Sequence, residues 1–172
     1  MNRRNILSLS VITTFGLALC TGSAFAQQKS IKDQLVGTWT VTSQEQVRKD
    51  GSKVERFGAN PKGIAIFEAN GLFVTILARP DLPKLASNDP MNPSPKEAKA
   101  LAVGSLAYFG TYTVDEPSKT ILLKIEASTL PNQLGFEGKR VINTLTADEL
   151  KFTNTTAVGD LGPVATSHRR AK

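Results

Sequence analysis

The stretch QLVGTWTVTS, residues 34–43, carries the only tryptophan of the chain, Trp39, two positions after Gly37. β-Branched residues alternate around it, and the strand-like pattern runs imperfectly from 36 to 47. Asp50-Gly51 is a hairpin turn signal, and 52–57 reads as a short returning strand. The glycines and Pro61 of FGANPKG, residues 57–63, exclude regular structure there. Residues 63–68 are apolar and strand-like. Asn70-Gly71 is the strongest hairpin signal in the chain, with 72–79 as the partner strand.

The pattern breaks between Pro80 and Pro95, where five of the nine prolines fall. Such density forbids helix and sheet interior alike. At its end SPKE, residues 94–97, forms a capping box with proline at the first helical position. One helix is therefore expected from 95 to about 106, with Ala98, Leu101, Ala102 and Ser105 on one face, and no other helix is expected. Strands resume at 108–114, 120–128, 139–145, 150–156 and 164–170, with loops at 115–119, 129–138 and 157–163. About nine strands in chain order, most joined by hairpins, make an antiparallel meander. Closing it into a barrel removes its exposed edges. The expected fold class is all-β: an antiparallel up-and-down barrel of about 8–9 strands with one short helix. Its interior is wide enough for packed side chains or one small ligand.

Three segments are expected. Residues 1–26 read as a cleaved signal peptide. Arg3 and Arg4 are followed by an uncharged apolar run at 6–20 and by AFA at 24–26, with cleavage after Ala26. The run is short for a membrane anchor. RRNIL resembles a twin-arginine signal, which leaves the Sec and twin-arginine routes both open to the periplasm or the exterior. Residues 27–34 form a polar lead-in, and 35–172 form the folded domain. Cleavage would remove Cys20, the only cysteine, and lower the formal charge from +6 by two, to +4. No disulfide is then possible, and stability must come from the core. No stable membrane insertion is expected after cleavage.

The residue types narrow the chemistry. Positive charge is dispersed, without a stripe or interleaved aromatics, so no nucleic-acid partner is expected. No glycine loop fits a phosphate, and no cofactor is expected. His168 is the sole histidine and lies beside two arginines near the C-terminus, so it reads as a surface or rim residue. A metal site normally needs more than one imidazole, and none is expected. A Ser-His-Asp triad would need the same His168, and no serine lies in a nucleophile-elbow context. No catalytic set is assigned.

LVGTWTV resembles the Gly-x-Trp opening of lipocalin-type barrels. FGANPKGIAIF, ARPDLPKLASNDPMNPSPKEAKA, YFGTYTVDE and STLPNQLG resemble the bacterial and fungal lipocalin-like domain family, so the likeness runs from 35 to about 170. It implies a calycin-type barrel with an internal cavity, and small-molecule binding by analogy of fold. It also implies a closed end where Gly37 and Trp39 meet Arg169 or Arg170, the arginine stacking on the indole. Members often carry histidine around Leu123 and Lys124. This chain does not, and any activity resting on those histidines is expected to be missing.

Candidate ligand-binding residues follow from alternation. Phe73, Thr75, Leu77 and Arg79 share a face, which places Arg79 at the cavity rim if that face is internal. Arg79 can hold a ligand carboxylate there, or pair with Asp81 or Asp89 and pin the proline-rich loop. Tyr108 and Tyr112 share a face and offer hydroxyls or simply fill the core. Glu126 sits opposite the apolar Ile121, Leu123, Ile125 and Ala127 face. It either faces solvent and pairs across the strand, or meets Arg140 near the cavity mouth. Three functions remain open: binding of a small, mostly apolar or carboxylate-bearing molecule, with the proline-rich loop and helix as lid; a cyclase or isomerase using Arg79, Glu126 and the tyrosines; and a filled barrel acting as an interaction module.

Overall fold

The computed structural model of the chain describes residues 29–48, 50–155 and 161–172. The signal peptide expected at 1–26 lies outside the described residues. The chain runs α1 (Ile31–Leu35), β1 (Gly37–Arg48), β2 (Lys53–Val54), β3 (Lys62–Phe67), β4 (Leu72–Ala78), α2 (Pro95–Gly104), β5 (Ser105–Asp115), β6 (Thr120–Ser128), β7 (Glu137–Leu145), β8 (Glu149–Asn154) and β9 (Leu161–Arg170), with a 3-10 turn at Pro131–Gln133. From β4 onward each strand pairs antiparallel with its predecessor. β1 bridges β3 and β9, which closes eight strands into a barrel, and β2 pairs only with the far half of β1.

The lead-in expected at 27–34 gives way to α1 at 31–35, so α2 is not the only helix. Five residues are too few to show a helical period. Here Ser30 caps Asp33 N–H at 3.0 Å, and the Glu116 carboxylate accepts from Ile31 and Lys32 N–H at 2.9 and 3.1 Å. α2 begins as expected: Ser94 Oγ accepts from Glu97 N–H, and Glu97 accepts from Ser94 N–H at 2.8 Å. It stops at Gly104, because Ser105 and Leu106 are drawn into β5 against Ala78 and Leu77. The strand expected at 52–57 shrinks to two residues, since Phe57 turns into the core, where it is 1% exposed.

Trp39 and Val41 of β1, Phe67 of β3, Phe73 of β4, Tyr112 of β5 and Ile121 of β6 fill one end of the barrel. Phe67 stands edge-on to Tyr112 with ring centres 5.2 Å apart, a favoured aromatic geometry. Trp39 is fully buried and donates its indole N–H to Leu35 O at 2.8 Å. Arg170, opposite it on β9, lies 4.0 Å over the indole ring. Its guanidinium donates to Ala147 O, Val36 O and Gln34 O at 2.5, 3.0 and 2.7 Å. Arg169 points outward. Gly37 has φ +128°, and a Cβ there would stand 2.8 Å from the Arg170 guanidinium, so no side chain fits.

Two bulges shift the strand register. The one between Val41 and Ser43 shifts β1 by a residue, so that Gln44 and Gln46 replace the odd-numbered residues on the inner face. The other lies where Phe109 and Gly110 face Ala127 and Ile125, leaving Glu126 without a partner on β5. Gly110 permits that approach, because a Cβ would fall 2.0 Å from Lys124 O.

Trp39→Ala should cost about 3–5 kcal/mol in chemical denaturation. Arg170→Lys should cost about 2 kcal/mol, since three charge-assisted bonds and the stacking change together. Arg169→Lys should stay within about 0.5 kcal/mol. Equal effects at the two arginines would contradict this account of the closed end.

Candidate functional site

Beyond the Phe73–Tyr108 pair, whose rings stand 5.8 Å apart, the interior opens into a cavity of about 440 Å³. Its apolar wall includes Leu77, Leu106, Ile125 and Phe152. Gln44, Gln46, Thr75, Thr166 and the Tyr108 hydroxyl edge supply neutral polar groups. Leu130, Pro131, Asn132, Gln133 and Phe136, on the segment between β6 and β7, form the mouth, where Phe136 is 37% exposed. No aspartate or glutamate is among the described residues that line it. The proline-rich loop and α2 contribute no lining residue either. The lid position expected for them is occupied by the 130–136 segment instead, since α2 packs outside β5, with Gly104 O accepting from Arg79 N–H at 2.9 Å.

Tyr108 and Arg140 line the cavity. Phe73 lies directly behind Tyr108, and Tyr112 lies deeper, its hydroxyl donating to Glu68 O at 2.9 Å. Arg79 is not among the lining residues: its Nε and Nη2 form a forked pair with Asp81, both bonds 2.8 Å, and so pin the start of the proline-rich loop. Glu126 faces solvent at its bulge, so it does not meet Arg140. Arg79, Glu126 and the tyrosines therefore do not converge on one point.

Among the lining residues that escaped the sequence reading are Gln44, Gln46, Arg56 and His168. Gln44 and Gln46 are inside only because of the β1 bulge, whose one trace in the sequence is the imperfect alternation after Val41. Arg56 reaches in from the segment after β2 and caps α2, donating to Val103 O at 2.9 Å and to Ala102 O and Ser105 O at 3.4 and 3.5 Å. Burial pushes its pKa below the ordinary value. The surface or rim position expected for His168 is incorrect: it is 2% exposed, on the inner face of β9. A carbonyl only accepts, so Nδ1 carries the proton and donates to Leu150 O at 3.3 Å, which leaves Nε2 an acceptor. The ring lies 5.0 Å from that of Phe152, and burial lowers the pKa to about 4. At neutral pH His168 is uncharged. Among the described residues no group of three potential ligands could hold a metal ion.

The family model described as a lipocalin-like domain matches residues 36–170. The chain belongs to the lipocalin-like domain family. No curated protein matches it. Among solved structures, this lipocalin-like barrel is similar to a lipocalin-like protein from Bacteroides uniformis, at 13% identity over 80% of this chain and 99% of that one, with a TM-score of 0.41. It is similar also to a redesigned β-barrel, at 15% identity over 84% and 100% of the two chains with a TM-score of 0.43. A de novo designed fluorescence-activating barrel shows 10% identity over 83% and 99%, with a TM-score of 0.42.

The low pKa of His168 gives the lipocalin-like barrel a pH-dependent stability. The unfolded histidine, with a pKa near 6.5, takes up a proton more readily than the folded one. Stability is therefore full above about pH 6.5 and declines as the pH falls toward 4, by roughly 3 kcal/mol in all. Between pH 7.5 and 5, above the range where most carboxylates protonate, urea denaturation should show a loss of about 2 kcal/mol. His168→Phe should flatten that slope, and an unchanged slope would rule out His168 as its source.

Proposed function

We propose that this lipocalin-like barrel binds a small, mostly apolar molecule in its interior. The observation that supports this is the cavity of about 440 Å³, walled by strands, sealed at the Trp39 end and reaching the surface beside 130–136. Its size falls in the range of small-molecule sites, and apolar walls with a few polar groups suit such a ligand. A filled interaction module would have a solid interior. The cyclase or isomerase reading relies on Arg79, Glu126 and a tyrosine acting together, whereas Arg79 is tied to Asp81 and Glu126 faces solvent.

Nile red, an uncharged apolar dye, should bind with enhanced fluorescence. Thr166→Phe, which places a ring in the cavity from a position 5% exposed, should weaken binding at least tenfold while the far-ultraviolet circular dichroism stays that of the parent. Native mass spectrometry of protein purified from its own host should show a co-purified small molecule. Absence of both dye binding and such a molecule would refute the reading.

We propose further that the chain is exported, on the strength of Arg3-Arg4, the uncharged run at 6–20 and AFA at 24–26. Protein recovered from the periplasm or medium should begin at Gln27, and an uncleaved chain confined to the cytosol would contradict export.

A further inference from the structure

Arg140 is buried in the cavity wall with no carboxylate partner among the described residues. The inward phase of β7 sets Gly138, Arg140 and Ile142 facing the interior, and Arg140 is 8% exposed. Its one hydrogen bond runs from Nη1 to the neighbouring Lys139 O at 3.3 Å, and Nε and Nη2 donate to no described residue. The guanidinium lies against the bare backbone of Gly138, where a Cβ would stand 3.1 Å from Nη1. Buried charge is costly unless it is paired and hydrogen-bonded. Arg56, the other arginine on the cavity, spends its donors on the carbonyls at the end of α2. His168 carries no charge at neutral pH.

We propose that Arg140 is the receptor for a single carboxylate, and that the ligand is an amphipathic monocarboxylic acid with an aliphatic or aryl body. This deepens the binding reading and rests on it. The free Nε and Nη2 form a planar fork that matches the two oxygens of a carboxylate, an arrangement tighter than either bond alone. Leu77, Leu106, Ile125 and Phe152 supply the wall against which an apolar body lies. A dianion such as a phosphate monoester needs a second free cation, and Arg56 is committed. The carboxylate supplies the charge that the described lining residues lack, so ligand and cavity neutralise each other out of water.

The test compares acids with neutral molecules of the same shape. Decanoate against its methyl ester, and 2-naphthoate against 2-naphthylmethanol, are titrated into full-length protein, with displacement of Nile red as the readout. Wild-type protein should bind at least one acid tenfold or more tighter than its neutral partner. In Arg140→Gln the acid should lose at least tenfold, with the neutral partner changed less than twofold and Nile red still bound. Arg140→Lys should recover part of the acid's affinity. Because a buried arginine can matter to folding, the wild-type acid-to-neutral ratio is decisive by itself: acids that bind no tighter than their neutral partners overturn the carboxylate site. If Nile red fails to bind the wild type at all, the binding reading fails first. If dye binds and acids gain nothing, only the carboxylate assignment falls.

Discussion

The stacking of Arg170 on Trp39 joins the two strands that would otherwise be the open edges of a meander. Arg170 and Trp39 face each other in the β1–β9 register, with the guanidinium 4.0 Å over the indole. The same guanidinium takes carbonyls from 34 and 36, where α1 runs into β1, and from Ala147, between β7 and β8. Three segments far apart in sequence are thus held at one point. Closure satisfies the backbone groups of both edges. It also seals the Trp39 end, away from the mouth at 130–136. A cavity sealed at that end is the property on which the functional reading depends, and it follows from this contact.

Within the closed barrel, the character of the cavity is set by where the strands keep regular alternation and where they depart from it. A perfectly alternating β1 would present its odd-numbered residues inward along its whole length and bring Ser43 and the Glu45 carboxylate inside beyond Trp39 and Val41. The bulge after Val41 brings Gln44 and Gln46 inside instead. On β6 ordinary alternation turns Glu126 outward, with Leu122 and Lys124, and keeps a carboxylate out of the interior. Arg140 follows ordinary alternation, and Gly138 leaves room for its guanidinium. Together these produce an interior with cations and neutral polar groups but, among the described lining residues, no acid. The buried neutral His168 fits the same surroundings, because a proton on its ring would add a further charge to a poorly solvated site.

The fold was legible because its signals are local. Asn70-Gly71 and the capping box at 94–97 act within a few residues, and both features appear where the sequence places them. α1 was not legible, since its five residues depend on the distant Glu116 carboxylate. The site was legible only in part. Tyr108 was found by alternation, Arg140 was named only as a partner for Glu126, and both line the cavity. Arg79 was placed correctly at the end of its strand, but its choice between a ligand and Asp81 is settled by a side-chain pair that alternation cannot see.

The sequence by itself determined the meander and the helix after the proline-rich loop, each written in neighbouring residues or in the phase of a strand. The pairing of Trp39 with an arginine of the last strand was implied by the resemblance to lipocalin-type barrels. The tertiary structure alone decided which arginine closes the barrel, that His168 is buried and neutral, that Arg56 joins the cavity wall, and that the mouth belongs to 130–136 rather than to α2. Those outcomes depend on register shifts and on contacts between strands far apart in the chain. A shift of one residue reverses the face of everything beyond it, and composition leaves almost no mark of where such a shift falls.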